Sequence, residues 1–295
     1  MRRTRHRFIA AAGLAALAAM PLPRALAAAT PSPVQPVTEK DFNVKNFSAA
    51  SITVNNKFLP LIPGVQYTLT GTATRGTAGE HEVVFTVTDV TKVIDGVNAV
   101  VVWDRDFQNG QLVEEELAFM AQDDAGNVWS LGEYPEEHAD NGTVSAPSVW
   151  LGGVQQAIPG VLMRANPQTN TTPYLQGRAP AVEFLDQAVV NATDQHVCVP
   201  IGCFSGVLVV DEWNPLNQPD DGHQFKYHVP GIGVAQIEGR GGIEQETLAL
   251  IGIRSLDATE MAAATARTLQ LDQNAYSMAK AVYAGTPPAV VRPPA

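Results

Sequence analysis

The stretch that decides the fold is residues 82–131, EVVFTVTDVTKVIDGVNAVVVWDRDFQNGQLVEEELAFMAQDDAGNVWSL. Apolar and polar residues alternate along four runs within it, and a period of two is typical of a strand with one buried face. Short turns separate the runs, among them Ile94-Asp95-Gly96 and the Asn109-Gly110 pair, which favours a tight hairpin. Strands joined by such short turns pair antiparallel. The stretch therefore predicts a meander of consecutive β-hairpins.

Similar short apolar runs continue on both sides of this stretch. They cover residues 66–73, 195–199, 204–213, 223–229, 232–238 and 247–253. Residues 135–180 differ, because they are polar and rich in Pro and Asn, and they predict long loops with a short strand. A helical turn is expected around 182–190.

A change of pattern near residue 257 predicts a C-terminal helix. Asp257 is a candidate N-cap with Glu260 three residues later, and apolar residues then recur at helical spacing up to about residue 284. The predicted fold class is therefore all-β. An antiparallel meander over 41–256 forms a barrel or curved half-barrel, with long loops and one C-terminal α-helix over 257–284.

The two ends of the chain predict export and flexible termini. Residues 1–27 combine a basic start, an apolar run and the small-x-small site Ala25-Leu26-Ala27, as a secretory signal peptide does. The adjacent Arg2 and Arg3 keep a twin-arginine route open, and the 13-residue apolar run is short for a permanent anchor. We expect a periplasmic or secreted protein, with an extended Pro-rich leader at 28–40 and a disordered tail at 285–295.

The charge and hydropathy of the chain limit the kinds of molecule that it can bind. The chain has a formal charge of −11 at pH 7, and loss of the arginine-rich signal makes the mature protein more acidic still. Nucleic acid and anionic lipid surfaces would repel such a protein. No stretch after residue 27 is apolar for long enough to form a spanning helix, so we expect no membrane insertion after signal cleavage. No cofactor motif occurs.

The only two cysteines, Cys198 and Cys203, flank the turn-forming Pro200-Ile201-Gly202. In an exported protein, an even pair this close predicts a disulfide across a hairpin. A metal site formed with His196 is the alternative, but a fourth ligand is missing from the sequence.

A series of segments in a fixed order resembles a known group of proteins. The segments are NNKFLPLxPG at 55–64, DGV at 95–97, GxLVE at 110–114, AQDxxGNVWxxGE at 121–133, PGVxM at 159–163, EWxPL at 212–216 and PGIG at 230–233. The chain is similar in this respect to exported bacterial β-proteins without a characterised function. The resemblance implies an all-β exported domain and no established activity. The chain departs from the pattern at 177–181, and its C-terminal helix is an addition.

Glu115 is the candidate catalytic residue that the alternation singles out. It shares a strand face with Val113, Leu117 and Phe119, and a carboxyl group among apolar neighbours has a raised pKa that suits a general acid. His81 or His228 would be its partner in catalysis. The alternative is a strand end that is still in contact with water.

Aromatic residues on the predicted strands are candidate ligand contacts. Trp103, Phe119, Trp129 and Tyr227 could line a β-cup and bind an apolar ligand, although core packing is the more common role of such residues.

A calcium site is a further candidate at the tip of one hairpin. The spacing of Asp104, Asp106 and Glu115 resembles a calcium loop, but the glycine is displaced by one position and the flanking segments are strands. We expect no metal there.

Three functions remain open from the sequence. The first is an exported binding protein that holds an apolar or amphipathic small molecule in a β-cup, with the C-terminal helix as a lid or plug. The second is an exported hydrolase or lyase that uses an interior carboxylate and a histidine. The third is an envelope structural or interaction protein.

Overall fold

The computed structural model describes residues 42–75, 77–243 and 245–292, so the predicted signal peptide and Pro-rich leader lie outside the described residues. The strands are β1 (Val54–Asn56), β2 (Leu59–Leu61), β3 (Val65–Arg75), β4 (Thr77–Ile94), β5 (Val97–Gln108), β6 (Gln111–Gln122), β7 (Val128–His138), β8 (Val144–Ser145), β9 (Trp150–Leu151), β10 (Ile158–Met163), β11 (Tyr174–Ala179), β12 (Phe184–Val199), β13 (Gly202–Trp213), β14 (His223–Val229), β15 (Gly233–Arg240), β16 (Glu246–Ser255) and β17 (Val290–Val291). The helices are α1 (Ala258–Met278) and α2 (Lys280–Tyr283), and single 3₁₀ turns span Val44–Asn46, Ala49–Ile52, Pro180–Val182 and Pro215–Asn217.

Twelve antiparallel strands form a closed barrel, which confirms the predicted fold class. Consecutive strands pair from β3 through β7, and consecutive strands pair again from β10 through β16. Two further pairings join the two runs, β16 with β3 and β10 with β7. Because the barrel is closed, none of its twelve strands is an edge strand.

The middle of the chain contains more sheet than the sequence predicts. The segment expected to hold long loops and one short strand contains β10 and β11, the two strands that close the barrel. The expectation of a helical turn around 182–190 is also wrong. A 3₁₀ turn at Pro180–Val182 is followed at once by β12, whose 16 residues pair with β11 and β13.

The C-terminal helix begins as the sequence predicts but lies in a different place. Asp257 and Glu260 form the capping box at its start. Leu271 and Ala275 then pack with Val101, Leu117 and other outward-facing residues of β4 to β7. The helix therefore covers the outside of the barrel wall and is neither a lid nor a plug of the interior.

A short hairpin closes one end of the barrel instead. Strands β1 and β2 contribute Val54 and Leu61 to the apolar cluster inside the barrel. The hairpin is held in place because Asn55 and Gln122 exchange two hydrogen bonds of 2.9 and 2.8 Å. The Lys57 carbonyl also accepts a 2.8 Å hydrogen bond from the Gly231 backbone N–H.

The described part of the tail is ordered, in contrast to the predicted disorder of 285–295. Val290 and Val291 pair with β4, and the Pro287 carbonyl accepts a 2.8 Å hydrogen bond from Lys92. Cys198 and Cys203 face each other across the β12–β13 hairpin, with their sulfurs at a disulfide distance of 2.07 Å. No helix within the described ranges has the length and apolar character needed to cross a membrane.

Candidate functional site

The barrel contains a cavity of about 320 Å³ that is partly open to solvent. This volume is at the lower end of the range typical of small-molecule pockets. One part of its wall is apolar, because the alternate residues of β3, β4, β6 and β16 turn their side chains inward. That part includes Leu61, Tyr67, Leu69, Phe85, Met120 and Leu248.

The rest of the cavity wall is rich in carboxyl groups, and we call this part the acidic half. Its members are Asp104, Glu114, Glu116, Glu133, Asp186, Glu212, Asp221 and Glu246. Lys226 is the only lysine or arginine among the described lining residues. Carboxyl groups outnumber cationic groups so strongly that ionisation of the acidic half directs a negative field into the cavity.

Asp104 and Glu116 form the centre of the acidic half. They lie directly opposite each other on β5 and β6, where two like charges are unfavourable. Burial, followed by the charge of Asp106, raises the pKa of Asp104 to about 7. Burial, followed by the charges of Glu133 and Glu114, raises the pKa of Glu116 well above its usual range. Both groups therefore hold a proton more readily than a carboxyl group in water.

Some carboxyl groups of the acidic half have protein partners. Glu212 pairs with the Lys226 ammonium at 2.6 Å and accepts a 2.8 Å hydrogen bond from Gln176. Glu246 lies 2.8 Å from Nδ1 of His81. Lys226 is thus neutralised within the protein and is not a free cation for a ligand.

His228 adds a neutral acceptor to the cavity wall. Its side chain is buried, and burial lowers its pKa to about 4, so the ring is neutral at pH 7. Its Nδ1 lies 3.1 Å from the Phe58 carbonyl, which can only accept, so Nδ1 carries the proton. The other nitrogen, Nε2, is an acceptor without a hydrogen-bond partner among the described residues.

The structure does not bring the predicted catalytic residues together. His81 and His228 lie on the inner side of the barrel, whereas Glu115 lies on the outer face beneath α1. Glu115 accepts a 2.9 Å hydrogen bond from Trp103 Nε1 and one of 3.0 Å from Arg267 Nε, and Arg267 Nη2 also bonds its second oxygen. The sheet separates Glu115 from both histidines, so the arrangement expected for the hydrolase is absent.

The predicted aromatic contacts also lie away from the cavity. Trp103, Phe119 and Trp129 belong to the outer apolar cluster, where Trp129 packs edge-on against Phe42. Tyr227 donates a 3.1 Å hydrogen bond to Glu238 and does not line the cavity. These four residues stabilise the barrel wall.

A second cluster of ionisable groups lies between the barrel and α1. The ligand atoms of Glu115, Glu136 and His138 all lie within 4.8 Å of one another, a spacing that a metal ion could bridge. Arg267 bonds Glu115 and comes within 3.9 Å of Glu136, so its guanidinium already supplies the positive charge there. The cluster attaches the helix to the barrel.

The other metal candidates from the sequence do not converge either. Asp104 and Asp106 face inward while Glu115 faces outward, so the three cannot surround one calcium ion. His196 lies near Cys198 and Cys203, but their sulfurs are at disulfide distance and no thiolate is left to bind a metal.

The sequence contains a signal for the cavity that our sequence analysis missed. Asp104 is in phase with Val100 and Val102 on β5, and Glu116 is in phase with Ala118 on β6. Acids that continue an inward apolar stripe on neighbouring strands mark a polar region of the interior.

Comparisons with known proteins give only distant likenesses. No family model matches the chain, and no curated protein matches it. One similar solved structure is a candidate exported protein with a YmcC-like fold from Bacteroides fragilis, with 15% identity, a TM-score of 0.37, and coverage of 68% of this chain and 100% of that one. Another is a candidate lipoprotein from Parabacteroides distasonis, with 10% identity, a TM-score of 0.36, and coverage of 68% and 99%. Both are exported or lipoprotein bacterial proteins, the class that the sequence segments resemble.

Proposed function

We propose that this protein is exported and binds an amphipathic small molecule inside its barrel. The observation that carries the proposal is the cavity of about 320 Å³ inside the barrel, with an apolar wall on one side and the acidic half on the other. Binding sites for small molecules combine an apolar lining with a few polar groups that fix orientation. Export is supported by the signal peptide pattern of residues 1–27.

The β1–β2 hairpin supports binding inside the barrel because it covers one end of the cavity. It seals the apolar part of the interior, where Leu59 and Leu61 line the cavity. An apolar chain packed there gains roughly 0.8 kcal/mol for each CH₂ group removed from water. The polar head of the same molecule would lie against the acidic half.

Uptake of the fluorescent apolar probe N-phenyl-1-naphthylamine tests this function. The protein is produced with its own leader, recovered after export and titrated with the probe. We expect saturable fluorescence enhancement with one site per chain. Ala118 lines the cavity, so Ala118→Trp fills the space and should abolish uptake.

Ile253 provides the matched control, because it is exposed on β16. Ile253→Trp adds the same side chain outside the barrel and should bind the probe as the wild type does. Circular dichroism shows whether each variant is folded. No saturable uptake by the wild type, or equal uptake by the folded Ala118→Trp variant, would disprove binding in the cavity.

A further inference from the structure

We infer that the ligand of this cavity is an amphipathic amine, whose positively charged head donates hydrogen bonds to the acidic half while its apolar body fills the rest. The inference rests on the proposed function and specifies the chemical class of the ligand. It is carried by two independent observations, the excess of carboxyl groups around the cavity and the unpartnered acceptor of His228.

The charge balance of the wall selects a cation. Lys226, paired with Glu212 at 2.6 Å, is one cation among eight carboxyl groups, so its charge cannot balance all of them. Asp104 and Glu116 stand opposite each other at the centre of the acidic half, and Lys226 is the one lysine or arginine among the described residues that line the cavity. A cleft lined mainly by one sign of charge attracts the opposite charge and repels a carboxylate or phosphate.

The hydrogen-bonding capacity of the wall selects a donor. Ionised carboxylates can only accept hydrogen bonds, and Nε2 of His228 is likewise an acceptor because Nδ1 faces the Phe58 carbonyl. A buried acceptor without a partner is unfavourable, so a ligand with N–H groups would satisfy what the protein leaves open. A primary amine provides both the charge and the donors.

Proton balance on binding follows from the raised pKa of Asp104 and Glu116. An ammonium group placed beside them favours their ionised forms. Protons held by the acidic half are therefore released to the solvent when the amine binds, and no other co-reactant is involved.

Three ligands with the same eight-carbon chain test the inference: octylamine, 1-octanol and octanoate. Each competes with N-phenyl-1-naphthylamine at pH 8, where the amine is charged. Hydrogen bonds to charged groups predict that octylamine binds roughly 10- to 100-fold more tightly than 1-octanol. Octanoate should fail to compete.

Glu116→Gln and Glu80→Gln form the matched pair of variants. Glu116 lines the cavity, whereas Glu80 is exposed on β4. We expect Glu116→Gln to weaken octylamine binding about tenfold without changing 1-octanol binding, and Glu80→Gln to change neither.

The outcomes separate the inference from the function on which it rests. If the probe binds but all three ligands compete equally, or none competes, the amine inference is overturned and binding in the barrel stands. Equal octylamine affinity in the wild type and Glu116→Gln also overturns it. If the probe itself is not taken up, the proposed function fails and the inference fails with it.

Discussion

Replacing Asp104 with Asn should stabilise the folded protein at neutral and alkaline pH and leave its stability nearly unchanged in acid. Asp104 faces the cavity on β5, where burial and the nearby Asp106 carboxylate oppose its ionisation. Asn keeps the size of the side chain and can still accept the 2.9 Å hydrogen bond from the Arg105 backbone N–H. The substitution therefore removes the charge and little else.

The magnitude follows from the pKa of Asp104, about 7 in the folded protein against 3.8 for an ordinary aspartate. The pKa of Asp104 is higher in the folded protein than in the unfolded chain. Below pH 4 the residue is protonated in both states and does not oppose folding. As the pH rises to 7, its ionisation increasingly favours the unfolded chain. A difference of about three pH units corresponds to roughly 4 kcal/mol above pH 7. The variant should exceed the wild type by this order at pH 8 and by little at pH 4.5.

Urea denaturation of both proteins at pH 4.5, 6 and 8 measures the difference. His81, with a pKa raised to about 9 by Asp106 and Glu246, titrates in both proteins and cancels. Asp106→Asn is the control with the opposite sign, since it removes a carboxylate 3.8 Å from His81 and should destabilise the protein at pH 7. An Asp104→Asn variant that gains nothing at pH 8, or gains equally at pH 4.5, would refute the reasoning.

Three further substitutions test the exterior of the barrel by urea denaturation. Lys92→Met removes the buried partner of Asp272, 2.8 Å away, and should lower the free energy of unfolding by roughly 3–5 kcal/mol. The double variant with Asp272→Leu should recover much of this loss. Additive losses in the double variant would contradict a buried pair. Leu271→Ala should lower the free energy of unfolding by about 2–5 kcal/mol. Probe uptake should stay unchanged because α1 lies outside the cavity. Loss of uptake in the folded variant would place the helix in the site. Replacing Cys198 and Cys203 with Ser should cost about 2 kcal/mol, since they are five residues apart and close a short loop; no loss, or a complete failure to fold, would contradict that estimate.

Local pattern predicted most of the barrel strands, but it gave only one short strand in the segment where β10 and β11 close the barrel. Strands such as β14 and β16 alternate clearly and are bounded by turn residues, so their positions follow from the sequence. β10 and β11 carry Gly160 and Gly177 instead of an alternating stripe. A Cβ at Gly160 would lie 2.3 Å from the backbone of β11, so this glycine permits close approach of the strands. That requirement is set by tertiary structure and gives no periodic signal.

The candidate site was missed because alternation does not tell which face of a strand is inside. On β6, Glu115 does share a face with Leu117 and Phe119, as the sequence predicts. That face is apolar because α1 covers it, and the opposite face, with Glu116 and Ala118, lines the cavity. A strand covered on both sides has two buried faces. Only the position of the helix decides between them.

The acidic half is unfavourable for the folded protein on its own, and this supports a role in binding. Two buried acids outside the barrel have a cationic partner, Glu115 with Arg267 and Asp272 with Lys92. The same chain therefore pairs buried acids where they serve stability, yet it places Asp104 opposite Glu116 inside the barrel. Local arrangements that oppose stability are concentrated at functional sites. An amine that binds only the folded state raises the free energy of unfolding, and the increase grows with the amine concentration. The loss of stability that accompanies ionisation of Asp104 should therefore become smaller as octylamine is added.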